Sequence, residues 1–296
     1  MAKFLVCTDS GCDLPMSLCQ EKGIIPLQLP YVIDGVSYTD TMDHADCHAF
    51  YDKMRAGAVP KTSGVNPFEF VEFWRALLPQ GLPIVHIVLG SGISGTYANS
   101  LTARDTLLAE HPEAQIFCID STLASVGYGM LALKAAELRD ADATAEEAVA
   151  WLEAHKCEIN TWYTTDDLTY LCRSGRVSRA GAIVGAMLNI NPILNLDLEG
   201  HLIVQEKTRG RKAAIRRIHD IIAELSLHND EQTLFICHSD IPEKAKEFGD
   251  EIKEKFGFRD VYYTYIGPTI GSHCGPGLMA AFFFGKSRTM KAGGLA

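Results

Sequence analysis

At 296 residues, with 47% hydrophobic and 22% charged residues, the chain has an ordinary globular composition and enough length for two cores. A net charge of −10 argues against nucleic acid or an anionic membrane surface as general partners, and no apolar run approaches a membrane span. Nine cysteines, an odd number without CxxC pairs, fit reduced thiols better than a disulfide framework, and the N-terminus lacks the apolar core of a signal peptide. The expected location is cytoplasmic.

In chain order, Lys3–Asp9 reads as a strand, and a short helix from Pro15 closes at Gly23. Ile24–Ile33 is expected to be extended, Asp34-Gly35 to turn a hairpin, and Ala45–Arg55 to be helical. Pro60 to Pro67 forms a polar loop, with Pro67 opening a helix that runs to Leu78.

The next stretch organises the chain. Pro83 to Leu89 is a continuous apolar run and predicts a buried strand, while Ala98 to about Glu110 carries Leu101, Ala103, Leu107 and Leu108 and predicts a helix. Gly90-Ser91-Gly92-Ile93-Ser94-Gly95-Thr96 lies between them. A strand that breaks into a helix through such a loop presents unpaired N–H groups and the positive end of the helix dipole to an anion.

Three chemistries fit this loop. Residues 90–95 spell G-x-G-x-x-G, and Asp120 ends the following strand, as a dinucleotide cradle would have it, although later than the usual ~20 residues. A serine acyl hydrolase built on Ser94 would need glycine two residues after the nucleophile, where Thr96 stands. The third is a non-covalent carboxylate or phosphate site, against the plainer alternative that Ser94 merely caps the helix.

Beyond Asp120, helices are predicted over Leu123–Arg139 and Ala145–His155, which makes the first half an α/β layer domain with a largely parallel sheet. Ligands of such sheets sit off the carboxyl ends of the strands, so the loops after Asp9, Leu89 and Asp120 should gather at one edge. The second half mixes types: a strand Asn160–Thr165, a helix from Asp166, an apolar stretch Ala180–Leu188, and a hairpin over Asp197-Leu198-Glu199-Gly200. A helix Arg211–Leu225, a strand Gln232–His238, a helix Pro242–Phe256, a strand Asp260–Tyr265 and an apolar strand Leu278–Phe284 follow. The division expected is an α/β domain over 1–160 and an α+β domain over 161–296, with the last strand free to return to the first domain.

Several short runs then acquire a common meaning: Thr8-Asp9-Ser10-Gly11-Cys12-Asp13-Leu14, Lys61-Thr62-Ser63, Ser91-Gly92-Ile93-Ser94-Gly95-Thr96-Tyr97, Ser174-Gly175-Arg176-Val177-Ser178 and His273-Cys274-Gly275-Pro276-Gly277. With Ile119-Asp120-Ser121, Asp167-Leu168-Thr169-Tyr170-Leu171 and Leu188-Asn189-Ile190-Asn191-Pro192-Ile193-Leu194, their order and spacing resemble the DegV family, whose members bind fatty acids. The resemblance spans nearly the whole chain. It departs at Gly64-Val65-Asn66-Pro67, where the family has glutamine and proline sooner after Thr-Ser, and at Cys274, where it has threonine.

The resemblance implies a two-domain α/β fold with a ligand tunnel between the domains. A long-chain fatty acid would be bound there with no other cofactor, no metal and no chemistry performed on it. Its carboxylate would be met by Thr62, Ser63, Ser94, the Gly95 amide and His273, with Ser91 and Thr96 in the same loop. In bacterial relatives such a protein is the acyl-binding partner of an ATP-dependent fatty acid kinase, which the resemblance extends to Arg173, Arg176 and Arg209 as docking residues.

Physical chemistry is consistent with a lipid. About fourteen methylenes at ~0.8 kcal/mol each give roughly 11 kcal/mol of gross burial before ordering costs. The head group then only needs donors that offset its desolvation, and neutral hydroxyls and amides supply them without a fixed cation. Ile183, Val184, Met187, Leu188, Ile190 and Ile193 are candidates for the apolar wall.

Other features read more plainly. His44 and His48 share a helix face as metal ligands do, but no partner ligands lie near them in sequence. His238 ends a strand as a general base might, with no nucleophile paired to it by motif. The basic run from Lys207 to Arg217 is the exception in an acidic chain, either a solvated face or a dock for an acidic partner. A carrier is thus the leading expectation, and a nucleotide-dependent oxidoreductase using Gly90 to Gly95 is the alternative.

Overall fold

The computed structural model describes residues 2–177 and 190–289. Its first sheet is parallel, with strands β1 (Leu5–Asp9), β2 (Ile24–Leu27), β6 (Ile84–Val88) and β7 (Ile116–Asp120) in the order β2-β1-β6-β7. All five residues of β1 and of β6 are buried, so the apolar runs behave as fully enclosed strands. The polar exception in β6, His86, accepts the Trp74 indole N–H at 3.0 Å, and burial pushes its pKa down to about 3.

The extended run from Ile24 does not stay in one sheet. After β2 the chain crosses at Leu29, whose amide donates to Ser10 Oγ, and forms an antiparallel sheet from β3 (Pro30–Ile33), β4 (Val36–Thr39) and β5 (Lys61–Thr62). Asp34 and Gly35 both take positive φ at the β3–β4 turn, as a two-residue hairpin requires. The loop expected around Lys61 is therefore a short strand, paired to Tyr31 and Val32, and that pairing fixes the direction of Thr62.

The second large sheet contains β8 (Ile159–Thr164), β9 (Ile190–Leu196), β10 (Leu202–Arg209), β11 (Thr233–His238), β12 (Asp260–Tyr265) and β13 (Met279–Phe284), ordered β10-β9-β8-β13-β11-β12. The last strand does not return to the first half. It lies centrally, antiparallel to both β8 and β11, and its apolar run Met-Ala-Ala-Phe-Phe-Phe suits a strand covered on both faces.

Helix α5 (Val126–Asp140) joins the sheets, and it follows α1 (Met16–Glu21), α2 (Cys47–Arg55), α3 (Pro67–Arg75) and α4 (Thr96–Glu110). Residues 126–132 of α5 are all buried, as expected of a helix covered on every side. One hydrophobic cluster accordingly runs from Phe4 and Val85 through Tyr128 and Leu131 to Tyr163 and Phe282. The helix begins at Val126 and not at Leu123, because residues 121–125 form a turn. Leu123 O accepts the Gly90 amide there, and Thr122 and Ser125 take positive φ.

The remaining helices are α6 (Ala145–His155), α7 (Thr169–Arg173), α8 (Arg211–Leu225), α9 (Pro242–Phe256) and α10 (Pro268–Cys274). No element is predicted from the sequence where this last helix lies. Its signals were Pro268 at the first helical position and Gly275 beyond the end, the latter at φ 70°. The apolar stretch Ala180–Leu188 lies outside the described residues.

Candidate functional site

As the parallel sheet requires, its carboxyl-end loops converge. The Ser91 amide and hydroxyl donate to Asp120 at 3.0 and 2.6 Å, and the Thr122 amide donates to the same carboxylate at 3.1 Å. Over this edge folds the β9–β10 turn. A Cβ on Gly92 would stand 2.5 Å from Glu199 O, so this glycine is needed for contact with protein. Arg288, buried, ties the same corner together by donating to Thr122 O and Oγ1 and to Asp197 O.

Behind the edge lies a cleft that is partly open to solvent. One end is polar. Thr62 Oγ1 and His273 Nε2 share a hydrogen bond of 2.7 Å, Ser94 Oγ and Thr96 Oγ1 share one of 2.8 Å, and Ser94 Oγ accepts the Thr96 amide at 3.2 Å. The Ser94–Thr96 pair packs on Gly64, where a Cβ would stand 2.8 Å from Thr96 Oγ1. Apart from Ser125 and Thr269, the rest of the lining is largely apolar, with Leu89, Tyr163, Leu196, Leu202, Ala280 and Phe282 among its walls.

Among the described residues the polar end carries one arginine and no carboxylate. Burial, and then the nearby Arg176, push the His273 pKa down to about 4, so the ring is neutral at neutral pH and has one donor and one acceptor. Its Nδ1 is buried without a partner among the described residues. Arg176 lines the same end, half-buried, with Nη1 donating to Ser174 O at 2.7 Å and its pKa lowered by burial. Arg176, expected as a docking residue, thus also lines the cleft, and the expectation of a polar end without a cation is corrected.

The other expected residues divide clearly. Thr62, Ser63, Ser94, Thr96 and His273 line the cleft together. Gly95 and Ser91 lie on an adjoining outer hollow, and Ser91 is committed to Asp120. Arg173 is exposed with its guanidinium 4.9 Å over the Tyr170 ring, and Arg209 is exposed at the end of β10. Ile193 faces the opposite side of its sheet, against Ile218 and Ile222, so it is not a wall of the cleft, and neither does Ile190 line it. Ile183, Val184, Met187 and Leu188 fall outside the described residues. Sequence reasoning missed Leu196 and Leu202 on the hairpin and Ala280 and Phe282 on the last strand. Their alternation within β9, β10 and β13 was the available signal.

The rival chemistries find little support in this geometry. Gly92 and Gly90 are packed against Glu199 and Leu123, leaving no cradle on those glycines for a pyrophosphate. His273 pairs with Thr62 and not with Ser94, so the pairing a serine nucleophile needs is not formed. His238 is buried with its pKa pushed down to about 4, accepts the Ile241 amide and packs its ring 4.3 Å from Tyr265. His44 meets Thr264, whereas His48, Asp52 and Asp240 do cluster across the chain. There Arg55 already donates to Asp240 at 2.5 Å and to Asp52 at 2.9 Å, and its charge stands where a metal's would. The basic run is partly neutralised: Arg211 pairs with Asp166 and Arg217 with Glu206.

With this geometry in hand, comparison with known proteins is informative. Residues 3–286 match the family described as "Uncharacterised protein, DegV family". The chain belongs to the DegV family. A DegV domain-containing protein of Clostridium perfringens is 37% identical over 289 residues, which cover 97% of this chain and 99% of that one. Among solved structures, DegV of Bacillus subtilis, described as a fatty acid binding protein, is 28% identical with a TM-score of 0.83, covering 97% of this chain and all of that one. A fatty acid binding DegV family protein of Streptococcus agalactiae is 26% identical with a TM-score of 0.81 at the same coverage. The DegV fold thus extends over nearly the whole chain, and no helix among its described residues is long and apolar enough to cross a membrane.

Proposed function

We propose that this DegV protein binds one long-chain fatty acid non-covalently between two lobes that meet near residue 160, and acts as a carrier. The observation that carries the reading is the polarity of the cleft. A polar end, with Thr62, Ser63, Ser94, Thr96, His273 and Arg176, opens onto walls made mostly of leucine, alanine and aromatic side chains, Ser125 and Thr269 apart. A carboxylate at that end accepts from hydroxyls, and the half-buried guanidinium adds charge without a bidentate clamp already in place. The chain's methylenes supply most of the gross affinity, at ~0.8 kcal/mol each.

A carrier has to release its ligand's head group to something else. We infer that the carboxylate is presented at the mouth to an ATP-dependent fatty acid kinase for acyl phosphate formation, with the exposed Arg173 and Arg209 as docking residues and Arg176 shared between dock and cleft. The reading requires no bound cofactor and assigns no catalysis to the chain itself. Organic extraction of purified protein followed by mass spectrometry tests the ligand: near-stoichiometric long-chain fatty acid is expected, and short polar metabolites in its place would refute the assignment. Arg173→Glu tests the dock. It should weaken kinase coupling and leave lipid affinity unchanged, and equal loss of both would remove Arg173 from the dock.

A further inference from the structure

Three carboxyl groups are buried behind the cleft, where early and late parts of the chain meet. Asp9 ends β1, Asp13 closes the turn after it, and Asp40 follows β4, each no more than 2% exposed. Asp13 accepts the Gly267 amide at 2.8 Å and the Ser125 hydroxyl, and its carbonyl accepts the Thr264 hydroxyl at 2.7 Å. Asp40 accepts the Thr269 amide at 3.1 Å and the Thr269 hydroxyl at 2.6 Å. Asp9 accepts the Tyr128 hydroxyl at 2.6 Å and the Gly11 amide at 3.0 Å, while its Oδ2 is buried with no partner among the described residues. Gly267 and Thr269 flank the start of α10, the helix that carries His273. Ser125 and Thr269 touch the cluster and also line the cleft.

No lysine or arginine among the described residues forms a hydrogen bond to any of the three carboxyls. The titratable groups that face them are Cys12 beside Asp13, Tyr31 of β3, Asp43, His44 and Asp46 of the turn before α2, Cys47 and Tyr51 of α2, Tyr128 of α5, Cys237 of β11 and Cys274 of α10. Of these, Asp46 adds negative charge, burial keeps His44 neutral, and the phenols and thiols are raised. Burial raises all three aspartates, Asp9 to about 6 and Asp13 well above the ordinary range, and repulsion from Asp40 adds to both. Three buried carboxyls without a hydrogen-bonded cation among the described residues favour bound protons, because desolvation and then mutual repulsion oppose their charges.

We propose that Asp13 and Asp40, which hold the start of α10 through Gly267 and Thr269 beside the partnerless buried carboxyl of Asp9, are positioning residues for the fatty-acid site, and that ionisation of this cluster loosens the start of α10 and weakens the hold on the lipid. This rests on the fatty-acid reading above. The sign follows from the direction of the raised values. Stability from these carboxyls is complete below the ordinary carboxylate range and is lost as pH rises through their folded values. His273 and His238 have lowered values and act oppositely, losing stability as pH falls below about 6.5, so the cluster is best observed above that pH.

The test measures palmitate affinity and thermal unfolding of the full chain from about pH 6.5 to 8, below ordinary thiol ionisation, in the wild type, Asp13→Asn and Asp40→Asn. Asparagine keeps an acceptor and a donor, as a protonated acid does, and cannot ionise. Wild-type affinity is expected to fall several-fold across the range, and the fall should flatten in at least one variant. A wild-type affinity that does not change with pH, or a slope preserved in both variants, overturns the proposal. If neither variant folds, a 13C-carboxyl titration of the wild-type aspartates decides: one or more still protonated above pH 6.5 supports the cluster, and ordinary titration of all of them overturns it. Failure of the wild type to bind palmitate at any pH would instead refute the fatty-acid reading, and the carboxyl titration would still decide whether the cluster holds protons.

Discussion

The polar end of the cleft is assembled from β5, the loop before α4, α7's C-terminal turn and the end of α10, each delivering a hydroxyl, an imidazole or a guanidinium to one place. The apolar end is assembled from the inner faces of sheet strands, where Tyr163, Leu196, Ala280 and Phe282 stand on neighbouring β8, β9 and β13. The first is a construction of hydrogen bonds between loops and the second of strand alternation. The two ends should therefore fail differently. Damage to the polar end should cost a similar amount for every chain length, whereas damage to the apolar end should depend on how many methylenes the ligand has.

The largest expected effect tests that distinction. Ala280→Phe fills the apolar end and should displace three to five methylenes of palmitate, costing ~2–4 kcal/mol at the usual value per methylene, while decanoate binding changes much less. Calorimetric affinities for the two acids check it, with the unfolding temperature as control for overpacking. Equal losses for both acids would mean that Ala280 is not beside the tail.

Next come the hydroxyls. Thr62→Val removes one donor and leaves His273 without its 2.7 Å partner, and Ser94→Ala removes the other hydroxyl. Each should weaken palmitate and decanoate alike by ~1–3 kcal/mol, the ordinary cost of an unsatisfied buried group. Loss confined to palmitate would erase the contrast between the ends.

Arg176→Gln should have a smaller effect, ~0.5–1 kcal/mol, because the guanidinium is half-exposed and screened. It carries a second readout. Since Arg176 contributes to the lowering of His273 and burial contributes more, the imidazole pKa should rise above about 4 and stay below 6.5, observable by NMR titration. A value that does not move would separate Arg176 from the polar end. Ser91→Ala should change affinity by less than ~0.5 kcal/mol, because its hydroxyl is already taken by Asp120 at 2.6 Å.

The same contrast explains what could be read from the sequence. The polar end lies in short contiguous motifs: Ser94 and Thr96 stood out by residue type in the loop before α4, Thr62 and His273 came only from the family resemblance, and the strand–helix alternation disclosed the parallel sheet. The walls were not identifiable. Whether Ile193 or Leu194 faces the cleft depends on the register of β9 against β8, and a register is fixed by pairing across the sheet. The place of Arg176 in the cleft was hidden for a related reason. Nothing in Ser174-Gly175-Arg176 reveals that its guanidinium folds back to a helix a hundred residues later. The short strand at Thr62 and the split of Ile24–Ile33 between two sheets were likewise set by tertiary pairing with β3.

One measurement addresses the central claim, that a carboxylate lies at the polar end and a tail at the apolar one. Palmitate labelled with 13C at the carboxyl and at the terminal methyl, bound to the protein and observed by NMR, should show contacts from the carboxyl carbon to Thr62, Ser94 and His273 and from the methyl to the Tyr163, Ala280 and Phe282 walls. Reversed contacts, or a carboxyl signal that titrates as it does in free solution, would contradict the account.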